Sequence, residues 1–262
     1  MKLFTLYIGS TPRSASSVKI TPARIQELIA KRFESFTILP ASGVFRRQEE
    51  TTHLVQVTPL DVLAFLDEVE LLRGELDQNG IGIEHRGNYV RVADGSNRSS
   101  VLRQLYLRIR PEYLEAVFET ELPHGEWPES FAVITGRNRS GRHETDARNE
   151  ELDAALAEHC ARAGLPVWRA TGGSADFSHA EPGFGVETDL PTALGIGRLF
   201  QQEAIFHVLN GELSLHACEG SDEVPLGRWE ARLRKTPTAK VRTPNVAHGL
   251  SSLKTPNTDS LP

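Results

Sequence analysis

The residues that could do chemistry are concentrated between Phe131 and Leu215. His179 and Glu181 stand two positions apart beside Pro182-Gly183, where an imidazole and a carboxylate could exchange protons with a substrate or ligate a metal. Two residues do not complete a metal site and no third ligand follows at a recognisable spacing, so no metal is expected. A hydrogen-bonded loop leading into a strand is the plainer account. Thr171-Gly172-Gly173-Ser174 could turn backbone N–H groups toward a phosphate. It lacks the Lys-Ser/Thr of a P-loop, and a turn that needs flexible glycines explains it more simply. Arg137, Arg139 and Arg142, with Asn138 among them, could draw an anion to that side, or be solvated loop charges. Asn149 and Gln202 fall at helix junctions, as ligand contacts or as ties between loops, since a buried amide needs partners in either case. His85 and His207 fall in strand-like segments and read as packing residues.

Apolar strands and helices must hold these groups. In the C-terminal half Phe131–Thr135 reads as a strand, and Thr145 or Asp146 caps a helix running to about Ala163, ended by Gly164. Pro166–Ala170 and Gly183–Glu187 read as strands, and Thr192–Gln202 as a helix. A hairpin turned at Asn210-Gly211 closes the half. The N-terminal half has the same order. Leu3–Ile8 is a strand and Thr21-Pro22 starts a helix. Phe36–Leu39 is a strand broken at Pro40-Ala41-Ser42-Gly43, and Thr51–Thr58 is another. Asp61 caps a second helix that stops near Asn79-Gly80, and a hairpin follows over Ile81–Glu84 and Tyr89–Val92.

That order, β-α-β-β-α-β with one extra strand, is the split βαβ or ferredoxin-like arrangement. Short matches recur in sequence between the halves: Phe4–Gly9 with Phe131–Gly136, Ala41–Gly43 with Ala170–Gly172, and Ile83–His85 with Ile205–His207. They point to an internal duplication. The expected fold is α+β, with two tandem ferredoxin-like units over 1–93 and 131–227. A linker and helical connector spans 94–130, and a disordered basic tail spans 228–262.

Charge and cysteine usage narrow the function classes. The tail carries seven Lys/Arg against two Asp/Glu, +5 within a chain of net charge −6, which leaves −11 for the rest. An acidic body argues against a general nucleic-acid binder, although the tail could make weak nucleic-acid contacts. Two cysteines give neither a disulfide framework nor a metal set and read as reduced cytosolic thiols. No apolar run approaches the ~20 residues of a membrane span, and no signal-peptide pattern opens the chain. A cytoplasmic protein with no membrane contact is expected. The motifs of hydrolases, kinases, Rossmann dehydrogenases and redox enzymes are absent, which leaves an enzyme undecided and no cofactor expected.

One set of residues carries a resemblance. It comprises the lead-in Pro111–Thr120, a strand followed by Arg137-Asn138, Asn149 early in a helix, Glu181-Pro182, and Gln202-Glu203-Ala204-Ile205-Phe206. On these, residues 111–215 resemble a bacterial and phage family known as domain of unknown function 3293, whose pattern has Trp-Asn-Pro where this chain has Arg137-Asn138-Arg139. The resemblance does not extend to residues 1–92. It implies a phage- or mobile-element-encoded protein and no particular activity. The expected function is a binding or interaction module for a small polar ligand or a protein partner. One alternative is an enzyme acting on a phosphorylated or nucleotide-like small molecule, with Glu181 and His179 as acid and base. Another is an accessory protein tethered to nucleic acid by its tail.

Overall fold

The computed structural model describes residues 3–14, 20–45, 48–106, 109–121 and 125–234. Strand β1 (Phe4–Gly9) alternates buried and half-buried residues, as a strand with one covered face must. Helix α1 (Pro22–Ala30) begins where the Thr21 side chain accepts from the Arg24 N–H, with Pro22 in its first turn. Strands β2 (Phe36–Phe45) and β3 (Gln48–Val57) follow. Helix α2 (Val62–Glu75) is capped by Asp61, whose carboxylate accepts from the Leu63 and Ala64 N–H groups. Strands β4 (Gly80–His85) and β5 (Asn88–Ala93) join through a left-handed turn at Arg86-Gly87. These five strands form an antiparallel sheet in the order β2-β3-β1-β4-β5.

Helix α3 (Arg98–Leu105), a 3-10 turn (Pro111–Glu115) and the short strand β6 (Val117–Thr120) lead into the second half. There follow β7 (Ser130–Ile134), α4 (Asp146–Arg162), β8 (Val167–Gly173), β9 (Ala180–Glu187) and α5 (Leu190–Leu199). Strands β10 (Ala204–Leu209), β11 (Glu212–Ala217) and β12 (Glu223–Arg228) close the sheet. Its order is β12-β11-β10-β7-β9-β8-β6. The run β8-β9-β7-β10-β11 matches the first sheet strand for strand, and β6 and β12 extend it at the two edges. Among the described residues the fold is therefore mixed α+β, with two antiparallel sheets and five α-helices.

The middle of the second sheet is buried on both faces, and the alternation of side chains along its strands decides which residue goes where. On β7, Ala132 and Ile134 join Leu156, Cys160, Ala193 and Ile196 beneath α4 and α5. Phe131 and Val133 point the other way, into a core shared with β1, α1, α2 and α3 of the first half. Trp229, in a 3-10 turn after β12, is fully buried there, its ring 4.9 Å from Phe118 and 5.2 Å from Phe131. Polar bonds tie the halves together as well. The Gly227 N–H donates to Leu60 O at 2.9 Å, and Arg232 pairs with Asp61 at 3.3 Å. Arg86 donates to Ser221 O.

Several expectations need correction. The strand beginning at Phe36 does not break at Pro40 but runs to Phe45, with Pro40 opposite His53. It is an edge strand, and an edge tolerates a residue that cannot donate. The α2 helix ends before Asn79-Gly80, where Asp77 turns into the left-handed region at φ 50°. The connector over 94–130 is helical only in part. Val117–Thr120 is a strand paired with Ala170–Gly173, and so it belongs to the second sheet. The tail does not start at 228, because burying the large Trp229 surface offsets the ordering of the residues around it. The rest of the expected tail, 235–262, lies outside the described residues.

Two outcomes follow from this packing. Trp229→Ala should lower the unfolding free energy by about 3–5 kcal/mol, measured by urea denaturation. His53, His85 and His207 are buried, and burial holds each pKa below its usual value. The unfolded chain then binds more protons than the native one below about pH 6.5. Stability is full above that value and is lost as the pH falls through it. The urea midpoint should therefore drop between pH 7.5 and 5.5 (roughly the span around the unfolded pKa), and His85→Phe should flatten the drop.

Candidate functional site

At the end of the second sheet where β7 and β8 finish and β9 begins, the shared core opens into a cavity of about 520 Å³. Its floor comes from Val133, Phe206 and Leu215 on the sheet, and Phe118 on β6 closes one side. Arg110, Tyr113 and Ala116, from the segment before β6, complete the lining. The hollow exists because Ala116, Ala170, Gly172, Gly173, Gly183 and Ala204 offer at most a methyl group where a core usually interdigitates. Two of the glycines are required by close approach. A Cβ on Gly183 would lie 2.7 Å from Ile134 O, and one on Gly173 would lie 2.7 Å from His179 O. Gly172 differs, because its nearest neighbour would be the Phe118 ring edge at 3.6 Å. There the missing side chain is simply space.

A relay of polar groups fixes one carboxylate at this cavity. Asn149, 5% exposed on α4, accepts the Asn138 N–H at 3.0 Å. The Asn138 side-chain amide donates to Glu181 Oε2 at 2.7 Å, and its oxygen accepts the Glu144 N–H at 3.2 Å. Asn138 sits at φ 49°, ψ 49°, a left-handed conformation that asparagine adopts more readily than most residues. Ser140 and Gln201 are left-handed as well, at φ 52° and 55°, joined by a 2.7 Å bond from Ser140 N–H to Gln201 O. Such backbone costs about 1–2 kcal/mol per residue, and strain of this kind gathers at ligand clamps. Glu181 is half-buried and makes no ion pair among the described residues.

Glu203 is the second carboxylate of the cavity. Arg110 pairs with it at 2.6 Å, and the Tyr113 hydroxyl donates to it at 3.2 Å. Burial, and next the charge of Glu203, push the Tyr113 hydroxyl up to about 12, so it stays a donor at neutral pH. His179 is exposed, and its imidazole makes no hydrogen bond to Glu181. Its backbone is held by Ser174, whose N–H donates to His179 O at 2.9 Å. Asp176 pins the same loop. The Ser178 N–H, followed by the Ser174 and Ser178 hydroxyls, lowers its carboxyl to about 2.

The expected site residues divide cleanly. Asn138, Gly172, Gly173, His179, Glu181 and Gln202 line the cavity. Arg137 does not, because its guanidinium turns to Asp153 on α4 at 2.7 Å. Asn149 stands behind Asn138, and Thr171 alternates with the lining residues Ala170 and Gly172 along β8. The Thr171-Gly172-Gly173 run lies within a strand rather than a turn, with Gly172 opposite Glu181. Gln202 donates to Arg137 O at 2.9 Å and ties the two loops together. Arg110, Tyr113, Phe118 and Glu203 were not expected, although Tyr113 and Phe118 lie in the lead-in that carries the family resemblance. Among the described residues no group of three or more His, Cys, Asp or Glu could hold a metal ion.

Residues 134–205 match the model of a family described as protein of unknown function (DUF3293). That span contains Asn138, Asn149, Glu181 and Gln202. No curated protein matches the chain. Among solved structures, a phage SAM lyase in its apo state is similar at 13% identity and a TM-score of 0.26, covering 37% of this chain and 91% of that one.

The glycines give a direct check on how the hollow is built. Gly172→Ala should raise stability by about 0.4–1 kcal/mol, because it restricts the unfolded chain without a clash. Gly183→Ala should lower it by about 1–3 kcal/mol, because the strand must shift. Urea unfolding of the two variants measures both signs.

Proposed function

We propose that the protein binds a small ligand in this cavity, and that the ligand offers a cationic or donor-rich group to Glu181 and an apolar face to Phe118 and Phe206. The observation that carries this reading is Glu181 itself. It is a half-buried carboxylate with no cation partner among the described residues, held by Asn138 beside an apolar floor. A carboxylate taken partly out of water is unfavourable unless paired, so a complementary ligand group gains what the apo site lacks. The volume falls within the roughly 300–1,000 Å³ common for ligand pockets. The lining carries Arg110 as its one Lys or Arg among the described residues against Glu112, Glu181 and Glu203, a balance that favours amines, amidines or exocyclic amino groups.

The matching strand orders support a finer reading of the architecture, two ferredoxin-like units arising by duplication. His85 and His207, both buried, then hold equivalent positions. The free, buried thiols of Cys160 and Cys218 suit a cytoplasmic setting.

A metabolite screen by thermal shift, run in parallel on wild type and Glu181→Gln, tests the reading. The substitution keeps shape and hydrogen-bonding capacity while removing the charge. Amine- or amidine-bearing hits should stabilise the wild type, and binding to Glu181→Gln should weaken about tenfold or more, the loss of one charge-assisted bond. Hits that bind both proteins equally, or that lack any donor group, would overturn it.

A further inference from the structure

Beyond the Arg110–Glu203 pair lies a second hollow, an open cleft of about 830 Å³. It shares Arg110, Glu112, Gln202 and Glu203 with the inner cavity, so these side chains form the wall between the two. The wall can open. Arg110 and Glu203 are 51% and 30% exposed, and exposed pairs of this kind contribute little stability. The backbone beneath is shaped around the pair. A Cβ on Gly141, at φ +66°, would lie 2.2 Å from an Arg110 nitrogen and 2.8 Å from Glu203 Oε1. If Arg110 swings outward, Glu203 keeps the Tyr113 hydroxyl as its donor.

The chemistry of the cleft differs from that of the cavity. Arg198, exposed at the end of α5, donates to Cys218 O at 3.3 Å and has no carboxylate partner among the described residues. Arg103 reaches Glu112 at 3.3 Å, both side chains about two-thirds exposed at 65% and 66%. The cleft therefore presents one guanidinium with no ion pair among the described residues and two more paired with Glu112 and Glu203, with Glu219 as a third carboxylate on its lining. Guanidinium forks bind oxyanions with two parallel hydrogen bonds, which a carbonyl contact such as that of Arg198 leaves available.

We propose that this cleft is a subsite for a phosphate-class oxyanion, centred on Arg198 and Arg110, and that with the inner cavity it forms one bipartite site. The ligand would be amphoteric, with an apolar, donor-bearing head at Glu181 and an anionic group beyond the Arg110–Glu203 wall. Arg110 exchanges Glu203 for that anion as the ligand crosses the wall. This extends the reading of Glu181 given above and rests on it for the head group, but not for the anion.

The test uses inorganic pyrophosphate and orthophosphate on the full chain, with ionic strength held constant by sodium chloride. At about 10 mM, pyrophosphate should raise the melting midpoint of the wild type by about 3 °C, the effect of a ligand near ten times its dissociation constant. The rise should be at least halved in Arg198→Ala and partly kept in Arg198→Lys, each measured against its own ligand-free midpoint. Glu181→Gln should keep the full rise. No rise beyond the chloride control, or an equal rise in Arg198→Ala, overturns the subsite even if amines bind at Glu181. Conversely, if pyrophosphate acts through Arg198 while no amine acts through Glu181, the anion subsite stands and the head-group reading fails.

Discussion

A sheet covered on both faces has no side on which polar residues are free, and this constraint shapes the second half of the protein. Strand β7 supplies apolar groups at both parities, so Ala132 and Ile134 serve α4 and α5 while Phe131 and Val133 serve the first half. Trp229, Trp127, Phe131 and Phe118 fill the second interface with ring contacts of 4.9 to 5.8 Å. Close packing continues until the strands run into glycine and alanine. The cavity begins there, as a local interruption of a dense interior rather than a groove laid on the surface.

The polar groups around that interruption are satisfied in sequence. Asn149 is buried and must find partners, and it finds the Asn138 backbone. Asn138 then has its side chain positioned for Glu181. With one Glu181 oxygen already placed by the Asn138 amide, a complementary ligand has less freedom to remove on meeting it. Glu203 is treated differently. Its partners, Arg110 and Tyr113, come from the segment before β6, so the cavity's two acids answer to separate parts of the chain.

What could be read from the sequence depended on how local the cause was. The caps Thr21, Asp61 and Thr145 and the left-handed Asn210-Gly211 turn act within a few residues, and their positions agree with the expectation. Asn138, Glu181 and Gln202 were visible as polar residues beside apolar strands. Arg110 and Tyr113 were not, because their relation to Glu203 spans some 90 residues (|i−j| of 93 and 90) and depends on tertiary packing. β6 escaped notice for a related reason: four residues carry too short a period, and only its pairing with β8 defines it. The order around Trp229 depends on a core supplied by both halves, which no window of sequence displays.

Asp61 shows what this arrangement entails over longer times. One oxygen of its carboxylate starts α2, and the other receives Arg232 from the far end of the described chain. A drift at either place is felt at the other. With one core spanning both sheets, the halves are not interchangeable modules, however similar their strand orders. Cutting the chain between them would leave each half with a bare apolar face.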